Sequence, residues 1–248
     1  MLKKIVIVAA TSGIAEHCAR RWVTAAPSEL ILLGRDPIKT ERVAQDLRVR
    51  SPQSSITVHS IDFLNPAAIR AWVDGVVLVG LPDIVLIAHG VLSDQSACQQ
   101  DLEQCAQALA VNGVSPVLFA EAFAGHMQQA DSGALAIIGS VAGDRGRKSN
   151  YVYGAAKGLL ARYAQGLQHR LAGSRVKVIL IKPGPTDTPM TAQLKSKGKK
   201  LAAVEPVAQA IVEGIERGTP VVYAPGKWAL IMMIVRHLPR FIFNRLDI

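Results

Sequence analysis

Tyr153 and Lys157 stand four residues apart. On a helix that spacing puts both side chains on one face, one turn from each other. A phenol titrates near pH 10 and is a weak acid or base at neutral pH, and a neighbouring ammonium favours the phenolate. Lowering the phenol by about three units takes roughly 4 kcal/mol of differential interaction. A buried lysine one turn away, helped by a cationic ring nearby, can supply that. Ser140 follows the apolar run 134–138 and is placed to orient a carbonyl. The three residue types together make a general acid/base site. A tyrosine and a lysine at this spacing are, by themselves, most often an ordinary helix pair. The elements around them decide between the two readings.

Those elements alternate along the chain. Apolar runs rich in valine and isoleucine predict buried parallel strands at 4–10, 30–33, 56–61, 83–88, 134–138, 176–181 and 220–223. Helical patterns fall between them at 14–25, 37–49, 66–79, 99–129, 151–171 and 205–216, with Gly113 and Pro116 marking a bend. Pro37 and Pro66 suit the first turn of their helices. The alternation predicts an α/β fold of three layers, with about seven parallel strands between helices. Right-handed crossovers give a doubly wound order such as 3-2-1-4-5-6, with ligands at the carboxyl ends of the strands. Ser140 is then at the end of strand five and Tyr153 in the helix that follows it.

The totals fit one domain, residues 1–225, with 226–248 as a C-terminal apolar and basic extension of it. The 248 residues are half hydrophobic, with a mean hydropathy of +0.25 and a formal net charge of +9. No zinc-finger spacing or basic run interleaved with aromatics supports nucleic acid as the source of that charge, and no metal site is expected. Cys18, Cys98 and Cys105 form no C-x-x-C pair and suit a reduced cytoplasmic protein, the latter two on one buried helix face. The run 5–10 is short and is followed at once by Glu16, Arg20 and Arg21, which makes it a strand and not a targeting segment. No uninterrupted apolar stretch reaches the length of a membrane span.

At the first strand-to-helix turn stand Thr11, Ser12, Gly13 and Ile14. There backbone N–H groups and a helix N-terminus can meet a pyrophosphate. The usual fingerprint has three glycines; here Ala9 and Ala15 flank Gly13. Arg35, just past strand two, favours a ribose 2′-phosphate and hence NADP(H), although Asp36 beside it leaves NAD(H) open. Asp62 at the end of strand three can meet an adenine or cap the next helix. His89 and Gly90 end strand four. Asn112 lies inside a helix, where asparagine costs stability.

The order of this turn, Asn112, Ser140, Tyr153-x-x-x-Lys157 and Pro183-Gly184-Pro185-Thr186-Asp187-Thr188 resembles the short-chain dehydrogenase/reductase superfamily over nearly the whole chain. The resemblance implies a Rossmann-type fold and an NAD(P)-dependent oxidoreductase. It implies Tyr153 as the acid/base, Lys157 as the residue that lowers its pKa and holds the nicotinamide ribose, and Ser140 on the substrate carbonyl. Asn112 then supports a water-linked proton path. Pro183, Gly184 and Thr188 line the nicotinamide, Thr11 to Ile14 face the phosphates, and Gly90 packs beside the cofactor. The departures are the two alanines and His89, where the family's Asn-Ala-Gly pattern has asparagine. A dimer or tetramer is expected by the same analogy.

The stretches 142–154 and 223–243 are similar to those of the decaprenylphosphoryl 2-keto-erythro-pentose reductases. That likeness implies a lipid-linked ketone substrate and a flavin oxidase partner. The tail agrees in its chemistry: the apolar run 228–235 is followed by Arg236, His237, Arg240 and Arg245 among Leu238, Phe241, Ile242, Phe243 and Leu246. Such a segment suits the face of an anionic membrane, and Lys195, Lys197, Lys199 and Lys200 add to it. The expected location is cytoplasmic, peripheral on the inner face of the membrane. Arg145, Arg147 and Lys148 precede the catalytic helix, where an anionic substrate head would be met. The alternatives are a general ketone or 3-oxoacyl reductase, and a non-catalytic dinucleotide-binding or peripheral membrane protein on the same fold.

Overall fold

The computed structural model of the chain describes residues 2–246. The expected segments 1–225 and 226–248 are therefore described without Met1, Asp247 and Ile248, which lie outside the described residues. Seven parallel strands form one sheet in the order β3-β2-β1-β4-β5-β6-β7. They are β1 (Lys3–Val8), β2 (Ser28–Gly34), β3 (Ser55–Ser60), β4 (Ile84–Ile87), β5 (Ala134–Ile138), β6 (Lys177–Pro183) and β7 (Val221–Ala224). The sheet has the expected three-layer α/β build, and β7 extends the expected strand order by one.

Strand residues alternate between two buried cores, as the period of two requires. Ile5, Ile7, Leu30, Leu32, Leu86 and Ile179 face one layer, which holds α1 (Gly13–Ala25), α2 (Pro37–Arg50) and α9 (Val204–Glu216). Val6, Val8, Leu33, Val85, Ile137 and Leu180 face the other, which holds α3 (Pro66–Leu78), α6 (Ser115–Ala130) and α7 (Tyr151–Arg170). With both faces covered, the strands read as continuous apolar runs. Local chemistry sets the helix starts. Asp36 accepts the Lys39 N–H at 3.0 Å ahead of Pro37, and Asn65 caps α3 ahead of Pro66.

The expected helix 99–129 is not one helix. α4 (Gln95–Gln100) ends at Asp101, whose carboxylate accepts the Glu103 and Gln104 N–H groups and starts α5 (Leu102–Leu109). Residues Ala110–Val114 form a π-helical turn that leads into α6. Cys98 and Cys105 therefore sit on two helices, around a small cluster with Ala108 and Val152, and not on one face. The continuous run Leu102–Ala130 is long and apolar enough to cross a membrane by length and composition, but 61% of its apolar window is buried. It packs against α3 and α7 as a core element.

Beyond α8 (Ala192–Ser196), α9 and β7, the chain continues as α10 (Lys227–His237) and α11 (Arg240–Phe243). A methyl group on Gly184 would overlap the Trp228 indole, so the start of α10 lies directly on the loop after β6. Met232 is buried, whereas Leu230 is 60% exposed, Ile234 54% and Phe241 68%. Arg145 fastens this tail. Its Nη1 donates to the Val235 carbonyl and to the Leu238 carbonyl at 2.7 Å, and its guanidinium stacks 3.7 Å from the Phe243 ring centroid. The expectation that Arg145 meets a substrate head is thus corrected. Lys195 is paired with Asp187 and is not a free member of a basic loop.

Candidate active site

β5 ends at Ile138, and Ser140 caps a 3₁₀ turn, Val141–Gly143, its Oγ accepting the Ala142 N–H at 3.1 Å. Helix α7 crosses this turn at close range. A Cβ on Gly143 would come within 2.6 Å of the Lys157 carbonyl, and one on Gly154 within 3.0 Å of the Ala142 carbonyl. Two glycines therefore set the spacing between the turn that carries Ser140 and the helix that carries Tyr153 and Lys157.

Lys157 is 3% exposed, and its Nζ donates to the Ile138 carbonyl at 3.0 Å. Burial pulls its pKa down from the ordinary lysine value to about 8. Nζ lies 5.8 Å from the Tyr153 ring centroid. Burial pushes the Tyr153 phenol up, and its hydrogen bond with Ser140 works against that push. The lowered phenol expected from sequence draws on a cationic ring as well as on Lys157, and in the chain alone burial acts the other way. The ammonium turns to the end of β5, so desolvation outweighs what Ser140 offers.

Asn112 reaches the same cluster from the π-helical turn. It is fully buried, its Oδ1 accepts the Val91 N–H at 2.8 Å, and its Nδ2 donates to the Ala108 carbonyl at 2.9 Å. A Cβ on Gly90 would lie 2.8 Å from Asn112 Oδ1 and 3.4 Å from Lys157 Nζ. Both polar ends thus converge on a position that only glycine leaves open. His89, beside it, is structural. The Ser115 hydroxyl donates to the Phe63 carbonyl at 2.6 Å, so His89 Nε2 is the donor in its 2.9 Å contact with that hydroxyl. Burial, with Lys157 and Arg35 adding to it, lowers the imidazole pKa to about 3 and keeps it neutral.

Two adjoining cavities open at the carboxyl ends of the strands. A groove of about 510 Å³ is lined by Thr11, Ser12, Gly13, Ile14, Arg35, Asp62, Gly90 and Thr188. A smaller cavity of about 140 Å³ is lined by Ser140, Tyr153, Lys157, Pro183, Gly184 and, shared with the groove, Ser12, Ile14, Gly90 and Thr188. Every candidate catalytic or cofactor residue except Asn112 lines one or the other, and Asn112 lies behind Gly90. A Cβ on Gly13 would lie 3.1 Å from Thr188 Cγ2, which brings the first turn and the loop after β6 together.

The groove fits a dinucleotide in its shape and in the chemistry of its ends. The N-terminus of α1 opens onto it beside Gly13. At the far end Arg35 is exposed, with Lys39 next to it, a residue the sequence reading missed although it lies one helical turn on. Asp36, which leaves the 2′-position ambiguous in sequence, is occupied by capping α2 and by Lys39 at 3.6 Å. Asp62 accepts the Leu64 N–H at 2.9 Å, while the cap of α3 is Asn65. Leu92, Met190 and Leu194 complete the apolar wall of the smaller cavity and carry no signal in sequence.

The short-chain dehydrogenase model matches residues 3–199, from β1 to beyond α8. The chain belongs to the short-chain dehydrogenase family. An uncharacterized oxidoreductase of Streptomyces coelicolor is 30% identical over 98% of this chain and 96% of its own length. One of Mycobacterium tuberculosis is 31% identical over the same shares. Among solved structures, a short-chain dehydrogenase from Sphingobium yanoikuyae in complex with NADPH superposes with a TM-score of 0.82. It is 22% identical, with 96% of this chain and 97% of that one covered. The ketone-specific alcohol dehydrogenase of Comamonas testosteroni has a TM-score of 0.80 at 20% identity, covering 100% and 96%. These likenesses, below a quarter identical, concern the fold. As a short-chain dehydrogenase the chain is an oxidoreductase.

Proposed function

We propose that this oxidoreductase reduces a ketone with NADPH, and that the ketone is a keto-pentose carried on a polyprenyl phosphate. The observation that carries the first part is the convergence of Ser140, Tyr153 and Lys157 on one cavity that adjoins the groove ending at Arg35 and Lys39. Bound in that groove, the nicotinamide supplies a hydride to the carbonyl carbon. Ser140 holds the carbonyl oxygen, and Tyr153 gives its proton to the alkoxide that forms. Burial keeps the Tyr153 phenol protonated, and its hydrogen bond with Ser140 opposes the upward push on its pKa. Lys157, reaching from α7 to the end of β5, holds the nicotinamide ribose and restores the proton, with Asn112 behind Gly90 supporting a water-linked path. Thr11 to Ile14 hold the pyrophosphate, Arg35 the 2′-phosphate and Asp62 the adenine. Pro183, Gly184 and Thr188 back the nicotinamide.

The tail supports the lipid part. Helices α10 and α11 leave an apolar surface exposed beside Trp228, which itself lies on Gly184 at the cavity wall. A polyprenyl chain leaving the cavity meets that surface. The protein then works as a homodimer or homotetramer at the cytoplasmic face of a membrane, on the product of a flavin oxidase. Cofactor oxidation followed with NADPH and NADH separately, on polyprenylphosphoryl keto-pentose and on a simple ketone, tests the reading. NADPH with the lipid-linked ketone is expected to react fastest. Equal rates on both ketones would leave a general ketone reductase. Flotation with anionic liposomes checks the membrane contact separately.

A further inference from the structure

Two arginines precede the catalytic helix at Arg145 and Arg147, and the fold uses them differently. Arg145 is committed to the tail. Arg147 lines the catalytic cavity, its Nε is buried, and among the described residues that nitrogen has no partner. Asp144, the carboxylate whose charge reaches it, is committed to other partners. Asp144 is bonded to Lys182 Nζ at 2.5 Å and to the Tyr223 hydroxyl at 2.7 Å, with both charged side chains nearly inaccessible. Burial holds the Arg147 guanidinium below its ordinary value, and Asp144 only partly offsets this.

Asn150 lines the same cavity. It occupies the cap position of α7 yet makes no side-chain cap, and its Oδ1 is buried without a partner among the described residues. A buried polar group left unsatisfied costs roughly 1–3 kcal/mol, more for a charged one. The cavity thus carries an unused cationic donor and an unused neutral acceptor on the stretch that leads into Tyr153. The chemistry that completes both is an anion for the guanidinium and a hydroxyl for the amide oxygen.

We infer that Arg147 and Asn150 form a substrate subsite that takes a hydroxylated compound bearing a phosphoryl or other anionic group. Arg147 binds the anion and Asn150 accepts a hydrogen bond from a hydroxyl. This rests on the reading of the cavity as a reductase site and assigns the residues that meet the substrate's anionic and hydroxyl groups. Reduction stays the chemistry of Ser140, Tyr153 and Lys157, and the subsite fixes which ketones reach them.

Calorimetric titration of NADP⁺-saturated protein with ribose 5-phosphate and with ribose reads the subsite without turnover. Ribose 5-phosphate is expected to bind more tightly than ribose. Arg147→Leu is expected to weaken the phosphate ligand about 10- to 100-fold and leave ribose unchanged, with Arg147→Lys recovering part of the loss. Asn150→Ala is expected to weaken both several-fold. Equal binding of the two ligands, or an Arg147→Leu variant that binds ribose 5-phosphate like the parent, would overturn the inference. Reduction of neutral ketones with no preference for anionic ones would also overturn it, while leaving the reductase reading intact. Phosphate-dependent binding without turnover of any ketone would do the reverse.

Discussion

The turn at residues 9–14 and the start of α7 are both ends of the same site, and they tolerate departure from the family pattern very differently. At the turn, Ala9 stands in a left-handed conformation with φ of 63° at a position where glycine is expected, and Ala15 replaces another glycine. The backbone still lines the groove, because N–H groups and a helix end are what that turn presents and any residue has them. Around the start of α7, Ser140, Tyr153 and Lys157 keep the family pattern, and Gly143 and Gly154 let the helix approach the Ser140 turn. There the chemistry lies in side-chain atoms, and the helix must touch the Ser140 turn. A site bound by backbone can absorb a methyl group at the cost of strain, whereas a site that moves protons by side chains cannot change type.

That contrast gives predictions of graded size. Tyr153→Phe removes the proton donor and is expected to lower ketone reduction by about 10²- to 10⁴-fold while NADPH still binds, read by initial rates beside fluorescence titration. Lys157 sets the next. Its pKa of about 8 leaves the ammonium fully charged below that pH and progressively neutral above it. The pH profile of kcat/KM for reduction is expected to be level below about 8 and to fall toward tenfold per unit above it. His89, with a pKa of about 3, adds no limb in the neutral range. Arg35→Ala is expected to raise the Kd for NADPH about tenfold and leave NADH unchanged, since a charge-assisted contact to the 2′-phosphate is worth about 1.5–3 kcal/mol. The smallest effect belongs to the turn. Ala9→Gly relieves a left-handed alanine and is expected to stabilise the fold by about 1 kcal/mol. That corresponds to a rise in Tm of roughly 2–4 °C with activity kept. A loss of activity there would show that the Ala9 methyl shapes the groove.

Much of this was legible before the structure. The apolar runs and the helices between them follow from burial on both faces of a parallel sheet, and the strand order from crossover handedness. Tyr153, Lys157 and Ser140 were readable because their chemistry is unusual at that spacing and position. The π-helical turn around Asn112 was not, since a one-residue shift in helix hydrogen bonding leaves no periodic signature. The break at Asp101 was hidden because a capping aspartate inside an apolar helix pattern resembles a surface residue. Arg145 and Arg147 are the same residue type two places apart, and only tertiary contact separates an anchor for the tail from a free guanidinium in the cavity. The upward push of burial on Tyr153 is not legible in sequence, because spacing says which side chains are neighbours and says nothing about how dry their surroundings are.

The most direct test of the account follows deuterium from C4-deuterated NADPH into the alcohol carbon of the product in single turnovers, with the parent protein and Tyr153→Phe side by side. The account predicts label on the former carbonyl carbon with the parent, and almost none with Tyr153→Phe at equal cofactor saturation. Equal transfer by the two proteins would contradict it, because the proton donor would then lie elsewhere.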